Sequence, residues 1–231
     1  MDTFCEISCY SNDRDKTVAA MDAAFREMQR IESVFSKFDE NSAVSKINRL
    51  AGLEKVAVSE EVFKLTERAV YYSRISDGAF DITVAPLMDI WGFVRRHKAI
   101  PDKEAIDNAL RSVGYKDIEL DSKESSIRFL NKGKLLKSFE LNDRAISTSG
   151  NYERFFEIGG KRYSHIINPV TGEPCQGIIS VTVVADSAEK ADALSTAIFV
   201  MGEKNGLTLA KSIKDIKVLI LKEDGKIILY P

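Results

Sequence analysis

The sequence has no long hydrophobic run and no excess of charge of either sign. No stretch approaches the roughly 20 consecutive apolar residues that a membrane-spanning helix needs. The first residues, MDTFCEISCYS, also lack the basic start and apolar run of a signal peptide. We therefore expect a soluble, cytoplasmic protein with no transmembrane segment. Thirty-three basic residues nearly cancel 35 acidic ones, and no basic run is interleaved with aromatic residues, which argues against nucleic acid as a partner.

Cysteine and histidine are scarce as well. The three cysteines, Cys5, Cys9 and Cys175, are odd in number and form no pair with metal-ligand spacing. We interpret them as reduced packing residues rather than as a redox centre. With 231 residues, 44% of them apolar, the chain can bury a core. It contains no internal repeat, low-complexity tract or linker, so one compact domain over residues 1–231 is the simplest organisation.

One of the two histidines lies in a segment, residues 144–172, that is rich in hydroxyls, glycines and aromatic residues. The pattern predicts a strand up to Ser147, a turn at residues 148–150, and a hairpin turn at Gly159 and Gly160. The next strand carries His165, and a tight polar turn follows it at residues 168–172. This combination is typical of a site for a phosphorylated ligand. The alternative is a structural histidine whose ring is satisfied by a neighbouring carbonyl.

Two longer helices are predicted, one in each half of the chain. Apolar residues recur every three or four positions over about residues 16–38, which places one stripe of that helix against a sheet. A second helix follows an apolar strand at residues 178–185 and is predicted to end at Gly202. Within it, Asp192 and Thr196 are four residues apart and lie on one face. Such a pair can hold a hard cation such as Mg²⁺, but it is also common on solvated helix faces.

The middle of the chain is predicted to contain shorter elements. Ser42 and Ser59 are expected to be helix N-caps. Residues 117–121, 127–130 and 135–141 fit a meander of strands. Asp81 follows Phe80 after a glycine turn, and it either caps the next helix or contacts a ligand.

Taken together, these segments resemble the FAD:protein FMN transferases of the ApbE type. The family's motifs occur in order: M-D-T at Met1–Thr3, where Asp2 replaces the glycine of the family's M-G-T, FS-x-F-D-x-x-S-x-x-S-x-x-N at Phe35–Asn48, D-G-A-F-D-x-T-x-x-P-L-x-x-x-W-G at Asp77–Gly92, A-I-S-T-S-G at Ala145–Gly150, H-I-I-x-P-x-T-G at His165–Gly172 and A-D-A-L-S-T-x-x-F-x-x-G at Ala191–Gly202. The resemblance implies an α+β fold related to the T-fold, in which a mostly antiparallel sheet flanked by helices forms a cleft for FAD. It also implies a Mg²⁺-dependent reaction in which FMN passes from FAD, as substrate, to a threonine or serine hydroxyl of a target protein, and AMP is released.

The site residues implied by the resemblance map onto the chain motif by motif. Mg²⁺ ligation is implied for Asp192 and Thr196, and His165 is implied to act as general base toward the acceptor hydroxyl or to orient it. The acceptor is expected to present its hydroxyl in a short Gly-Ala-Thr or Gly-Ala-Ser motif. Two alternatives are a relative that hydrolyses FAD to FMN and AMP, and a non-catalytic flavin-binding protein. The residues implied to contact FAD are Met1, Phe38, Asn48, Ala79, Phe80, Asp81, Thr148, Ser149 and Ile166.

The chain departs from the family pattern around residues 136–144. The family carries there a block with a G-x-x-A-K-G-Y segment and a later G-G-N-I segment, whereas LLKSFELND, residues 135–143, leads almost directly into A-I-S-T-S-G. That block supplies a backbone carbonyl to the metal, a lysine near the phosphates and part of the sheet. We therefore expect weaker Mg²⁺ binding, with water in place of the lost ligand. We also expect an exposed sheet edge that favours a homodimer or aggregation.

Overall fold

The chain folds into six helices and nine strands over the residues that the computed structural model describes, which are 6–94, 99–130, 145–152 and 154–231. The helices are α1 (Arg14–Phe35), α2 (Ala43–Leu50), α3 (Glu60–Ile75), α4 (Ala85–Ile90), α5 (Lys103–Leu110) and α6 (Ala188–Ser212). The strands are β1 (Val56–Ala57), β2 (Ile118–Asp121), β3 (Ser126–Phe129), β4 (Ala145–Gly150), β5 (Phe155–Ile158), β6 (Lys161–Ser164), β7 (Ile178–Ala185), β8 (Lys217–Lys222) and β9 (Ile227–Tyr230). A 3₁₀ turn covers Tyr115–Asp117.

The strands pair antiparallel in three sheets. The largest has the order β4-β7-β8-β9, a second has the order β1-β3-β2, and β5 and β6 form a hairpin. Helix α6 packs across β4 and β7, and α3 packs against α6 and β2. The predicted α+β class, with antiparallel sheet flanked by helices, is confirmed. None of the helices in the described ranges is long and apolar enough to cross a membrane.

The main hydrophobic core lies between α6 and the four-stranded sheet. Alternate residues of β7, Val181 and Val183, face α6 and are fully buried, as is Ile198 on the helix. This arrangement follows from the pleat, which sends successive side chains of a strand to opposite faces. A second, smaller core forms around Trp91, where Leu87 packs with Ile106, Phe156 and Ile167. This second core supports the chain on either side of His165.

Local sequence signals account for the starts of several helices. The side chains of Ser42 and Ser59 accept hydrogen bonds from the backbone amides of Ser45 and Val62, so both predicted N-caps are confirmed. Asp13 caps α1 in the same way, which is why that helix begins two residues before the predicted start. The hairpin turn at residues 159–160 is also confirmed, and both of its glycines have positive φ angles.

Several other predictions are wrong. The apolar stripe of α1 does not pack on a sheet: only Phe35 of that helix is buried, and Val18 is 49% exposed. Residues 148–150 form no turn but belong to β4. By contrast, the predicted break at Gly202 is confirmed: its φ of 76° and ψ of 177° are not helical, and a second helical segment of α6 follows it to Ser212. The predicted strand at residues 135–141 lies outside the described residues.

Candidate active site

The pleat of β4 brings two serines against one face of α6. Ser147 and Ser149 point toward the helix, and Thr148 between them bonds instead to Thr182 on β7, with 2.8 Å between the hydroxyl oxygens. Two strand residues advance about 6.6–6.8 Å, which is close to the rise of about 6 Å over four helical residues. The two serines therefore match the spacing of Asp192 and Thr196 on α6.

Hydrogen bonds confirm that match in detail. Ser147 Oγ donates to Asp192 Oδ1 at 3.0 Å. Ser149 Oγ lies 3.1 Å from Thr196 Oγ1 and 2.8 Å from Ser195 Oγ. A carboxylate and a hydroxyl on α6 are thus held in place by hydroxyls of the neighbouring strand.

This strand and helix form one wall of a cavity of about 150 Å³. The opposite walls come from the loop after α3 and from the segment that follows β6. The cavity brings together most of the residues that the sequence predicted, namely Ala79, Phe80, Asp81, Thr148, Ser149, His165, Ile166, Asp192 and Thr196. Two carboxylates, several hydroxyls and one imidazole therefore line a single cavity.

Phe38 and Asn48 line a second, more open cavity of about 640 Å³. Helix α4 borders both spaces, since Met88 lines the first and its neighbour Asp89 lines the second. Ligand sites for small molecules typically measure about 300–1,000 Å³, so the first cavity alone is too small for a dinucleotide. The second cavity falls within this range by itself. Met1, the remaining predicted FAD contact, lies outside the described residues.

Lys37 also lines the second cavity, and sequence reasoning did not select it. Burial lowers the pKa of its ammonium group below the usual range; nearby Asp89 opposes this shift and nearby Arg154 adds to it. Its Nζ lies 5.1 Å from the centre of the Phe38 ring. The second cavity therefore offers an anionic or aromatic ligand both a cation and an exposed aromatic face, because Phe38 is 74% exposed.

His165 is held by its backbone neighbourhood and by an aromatic cluster. Its Nδ1 lies 3.1 Å from the Arg154 carbonyl oxygen. A carbonyl only accepts hydrogen bonds, so in the neutral ring Nδ1 carries the proton and Nε2 is the basic nitrogen. Phe93 stands with its ring edge-on at 6.4 Å. The ring of His165, which lines the first cavity, is thereby oriented with a defined tautomer.

Asp81 fixes the loop that leads from α3 to α4. Its Oδ1 accepts from Thr83 N at 2.8 Å and from Thr83 Oγ1 at 2.6 Å, and its Oδ2 accepts from Tyr115 N at 2.9 Å. The interpretation of Asp81 as a helix cap is wrong, since α4 has Val84 at its N-cap and no side-chain cap bond. The carboxylate is a rigid part of the cavity wall, and its contact with FAD stays a prediction.

The polar turn after His165 is confirmed, and it is anchored to the second core. Asn168 Oδ1 accepts from Val170 N at 2.8 Å, and the amide of Gly172 donates to Asn168 O at 2.8 Å. The indole Nε1 of Trp91 donates to the Gly172 carbonyl at 2.8 Å. Two of the sequence motifs, one containing Trp91 and the other His165, thus meet through a buried hydrogen bond.

The donor atoms on α6 and β4 fit magnesium. Carboxylate and hydroxyl oxygens are the hard ligands that Mg²⁺ prefers, and Mg²⁺ commonly keeps several waters besides one or two carboxylates. Asp192 Oδ1 accepts a hydrogen bond from the Ser147 hydroxyl, and no donor to Oδ2 lies within the described part of the chain. Within the same ranges, no group of three acidic, histidine or cysteine side chains is placed to hold a metal. The described residues therefore offer a metal few protein ligands.

A protein-family model described as the ApbE family matches residues 1–137 and 126–220. The chain belongs to the ApbE family. Curated relatives include the FAD:protein FMN transferase of Vibrio cholerae, 27% identical over 86% of this chain and 78% of the relative. A second is the FAD:protein FMN transferase of Treponema pallidum, 25% identical over 97% of this chain and 83% of the relative. The family resemblance found in the motifs is confirmed, and the named relatives are transferases.

Solved structures support the same assignment to the ApbE family. The crystal structure of an ApbE protein from Thermotoga maritima superposes with a TM-score of 0.83 at 30% identity, covering 95% of this chain and 91% of that one. Apo flavinyl transferase ApbE of Pseudomonas stutzeri gives a TM-score of 0.74 at 23% identity, covering 94% and 86% of the two chains. At that identity the second comparison shows a shared fold.

The comparisons also bear on the length of the chain. The alignment with the Vibrio cholerae enzyme runs over 262 positions and that with the Treponema pallidum enzyme over 301, more than the 231 residues of this chain. The relatives therefore carry residues that have no counterpart here. The two ranges matched by the family model overlap at residues 126–137, next to the place where the motif pattern is shortened. Residues 131–144 themselves lie outside the described ranges.

Proposed function

We propose that the chain transfers FMN from FAD to a serine or threonine hydroxyl of an acceptor protein and releases AMP, with Mg²⁺ bound by Asp192 and Thr196. The observation that carries this proposal is the single cavity in which both residues, the hydroxyls of β4 and His165 meet. The names of the relatives supply the substrate and the type of reaction. An acceptor with a Gly-Ala-Thr or Gly-Ala-Ser motif and a homodimer are parts of the same proposal.

The proposed reaction exchanges the phosphoanhydride bond of FAD for a phosphate ester bond to the acceptor. The acceptor hydroxyl oxygen bonds to the phosphorus of the FMN moiety, the bond from that phosphorus to the bridging oxygen breaks, and AMP leaves with that oxygen. The hydroxyl proton passes to Nε2 of His165, the nitrogen left basic by the bond from Nδ1 to Arg154. When bound, Mg²⁺ would offset the negative charge that develops on the diphosphate oxygens.

The second cavity is proposed to hold the part of FAD that extends beyond the phosphates. Phe38 offers an exposed ring for stacking against a flavin or adenine ring. Lys37 and Arg49 lie in the same lining and offer cations to a ligand, although Glu40 and Asp89 line the cavity too and balance their charge. Helix α4 then stands beside the middle of the bound molecule, because its residues line both cavities.

The test is AMP release from FAD, measured with purified protein with and without Mg²⁺ and with a peptide that carries the acceptor motif. We expect Mg²⁺-dependent AMP and flavin fluorescence fixed to the peptide. Asp192→Asn, which keeps the size of the side chain, should abolish turnover and retain FAD binding measured without metal. Asp186→Asn is the matched control, since it removes the same charge just before the start of α6 from a carboxylate that is 62% exposed.

A variant at the imidazole separates proton transfer from binding. His165→Ala should lower FMN transfer much more than FAD affinity, because the proposed role of Nε2 is in the chemical step. AMP with free FMN and no labelled peptide would identify an FAD pyrophosphatase. Flavin binding with no AMP under any condition would contradict the proposed transfer and indicate a flavin-binding protein.

A further inference from the structure

Four hydroxyl and carbonyl oxygens form a continuous hydrogen-bonded chain behind the cavity. Ser195 Oγ donates to the backbone carbonyl of Asp192 at 3.0 Å. Ser149 Oγ lies 2.8 Å from Ser195 Oγ, and Thr196 Oγ1 lies 3.1 Å from Ser149 Oγ. The chain thus runs from Thr196, at the cavity, to a carbonyl inside α6.

The direction of every proton in this chain follows from its last member. A carbonyl oxygen only accepts, so the single proton of Ser195 is committed to Asp192 O. Ser195 Oγ must then accept the proton of Ser149, and Ser149 Oγ must accept the proton of Thr196. Each hydroxyl has one proton, so one bond to a carbonyl sets the direction of the two bonds that follow.

This direction matters for a cation at Thr196. With its proton turned toward Ser149, Thr196 Oγ1 presents lone pairs, and not hydrogen, to the cavity that it lines. A metal ion binds an oxygen through its lone pairs, and a hydroxyl hydrogen turned toward the ion would repel it. The Asp192 carboxylate is also held in one orientation, because Ser147 Oγ donates a hydrogen bond to its Oδ1.

We propose that Ser195 is a positioning residue that, through Ser149, turns the lone pairs of Thr196 toward a bound magnesium ion. The inference rests on the proposed magnesium site. Ser195 is 0% exposed, so it contacts neither metal nor substrate and acts only through its neighbours. Residues that orient metal ligands in this indirect way commonly affect metal affinity by about 10- to 100-fold.

The experiment is a calorimetric titration of Mg²⁺ into the purified full chain without FAD, which reports metal binding and not turnover. Ser195→Ala should raise the Mg²⁺ dissociation constant about tenfold, at the low end of the range for such indirect effects. FAD binding measured without metal should stay unchanged. Ser212→Ala is the matched control, since its hydroxyl also bonds to a carbonyl three residues back in α6, at 2.7 Å, near the far end of the helix.

A double-variant comparison separates this role from a general loss of packing. Thr196→Val should weaken Mg²⁺ binding more than Ser195→Ala does, and adding Ser195→Ala to Thr196→Val should produce no further loss. Equal Mg²⁺ affinity in Ser195→Ala and the unmodified protein would overturn the positioning role. So would a loss of the same size in the Thr196→Val background. Unchanged Mg²⁺ affinity in Thr196→Val would instead overturn the metal site of the proposed function.

Discussion

Replacing Gly172 by alanine isolates the contribution of close packing in the turn after His165. Gly172 has a φ of +74°, and an added Cβ would stand 2.5 Å from Ile106 Cγ2 and 3.3 Å from Leu87 Cδ2. Gly160 has nearly the same φ, +75°, with no heavy atom within 4 Å of its added Cβ. The two substitutions therefore share the backbone strain and differ in the steric clash alone.

The expected magnitudes follow from these two terms. Left-handed backbone costs an L-residue about 1–2 kcal/mol, which is the whole effect expected for Gly160→Ala. Overpacking a buried site adds about 1–3 kcal/mol, so Gly172→Ala should reduce the free energy of unfolding by about 2–5 kcal/mol in total. Urea denaturation of both variants, fitted with a common slope, measures the difference. Equal midpoints for the two variants would refute the packing argument.

Three further predictions concern other contacts of the same fold. Burial raises the pKa of the Cys175 thiol to about 12. Iodoacetamide at pH 8 should therefore leave Cys175 unmodified until the protein unfolds, whereas exposed Cys9 should react at once. Mass spectrometry of the peptides would measure both modifications. Trp91→Phe leaves a buried carbonyl without its donor and should destabilise the fold by about 1–3 kcal/mol, measured by thermal unfolding; an unchanged midpoint would contradict it. Glu189→Gln weakens the ion pair in which Glu189 Oε2 lies 2.6 Å from Arg68 Nε, with side chains that are 11% and 47% exposed. We expect the free energy of unfolding to fall by no more than about 1 kcal/mol, and a larger decrease would show that solvent does not screen this pair.

Much of the site was predictable because its chemistry is local in sequence. Asp192 and Thr196 are one helical turn apart, so their shared face follows from the period of an α-helix. His165 and its polar turn were recognised from residue types within a few positions of each other. The N-caps Ser42 and Ser59 were found for the same reason, since a cap depends on residues three positions apart.

The rest depended on contacts that no local pattern contains. Residues 148–150 look like a turn because of their glycine and hydroxyls, yet pairing with β7 holds them extended. The stripe on α1 has the correct period for burial, but burial also requires a surface to pack on, and Phe35 alone of that helix is buried. Ser147 is not among the predicted site residues. The alternation of side chains along a strand would have indicated it, because Ser147 and Ser149 share a face once residue 148 is assigned to a strand.

The pairing of β4 also sets a limit on how the chain of this family can shorten without losing its site. Because the side-chain period of a strand is two, removing one residue between Ala145 and Ser149 would turn a serine away from α6 and bring another side chain toward Asp192. The ladder from Ala145 opposite Ala185 to Gly150 opposite Ser180 is regular in this protein. A chain that is shorter before this strand can therefore keep Ser147 and Ser149 facing α6, whereas the loss of a single residue inside the strand would keep the fold and turn one of these serines away from Asp192 or Thr196.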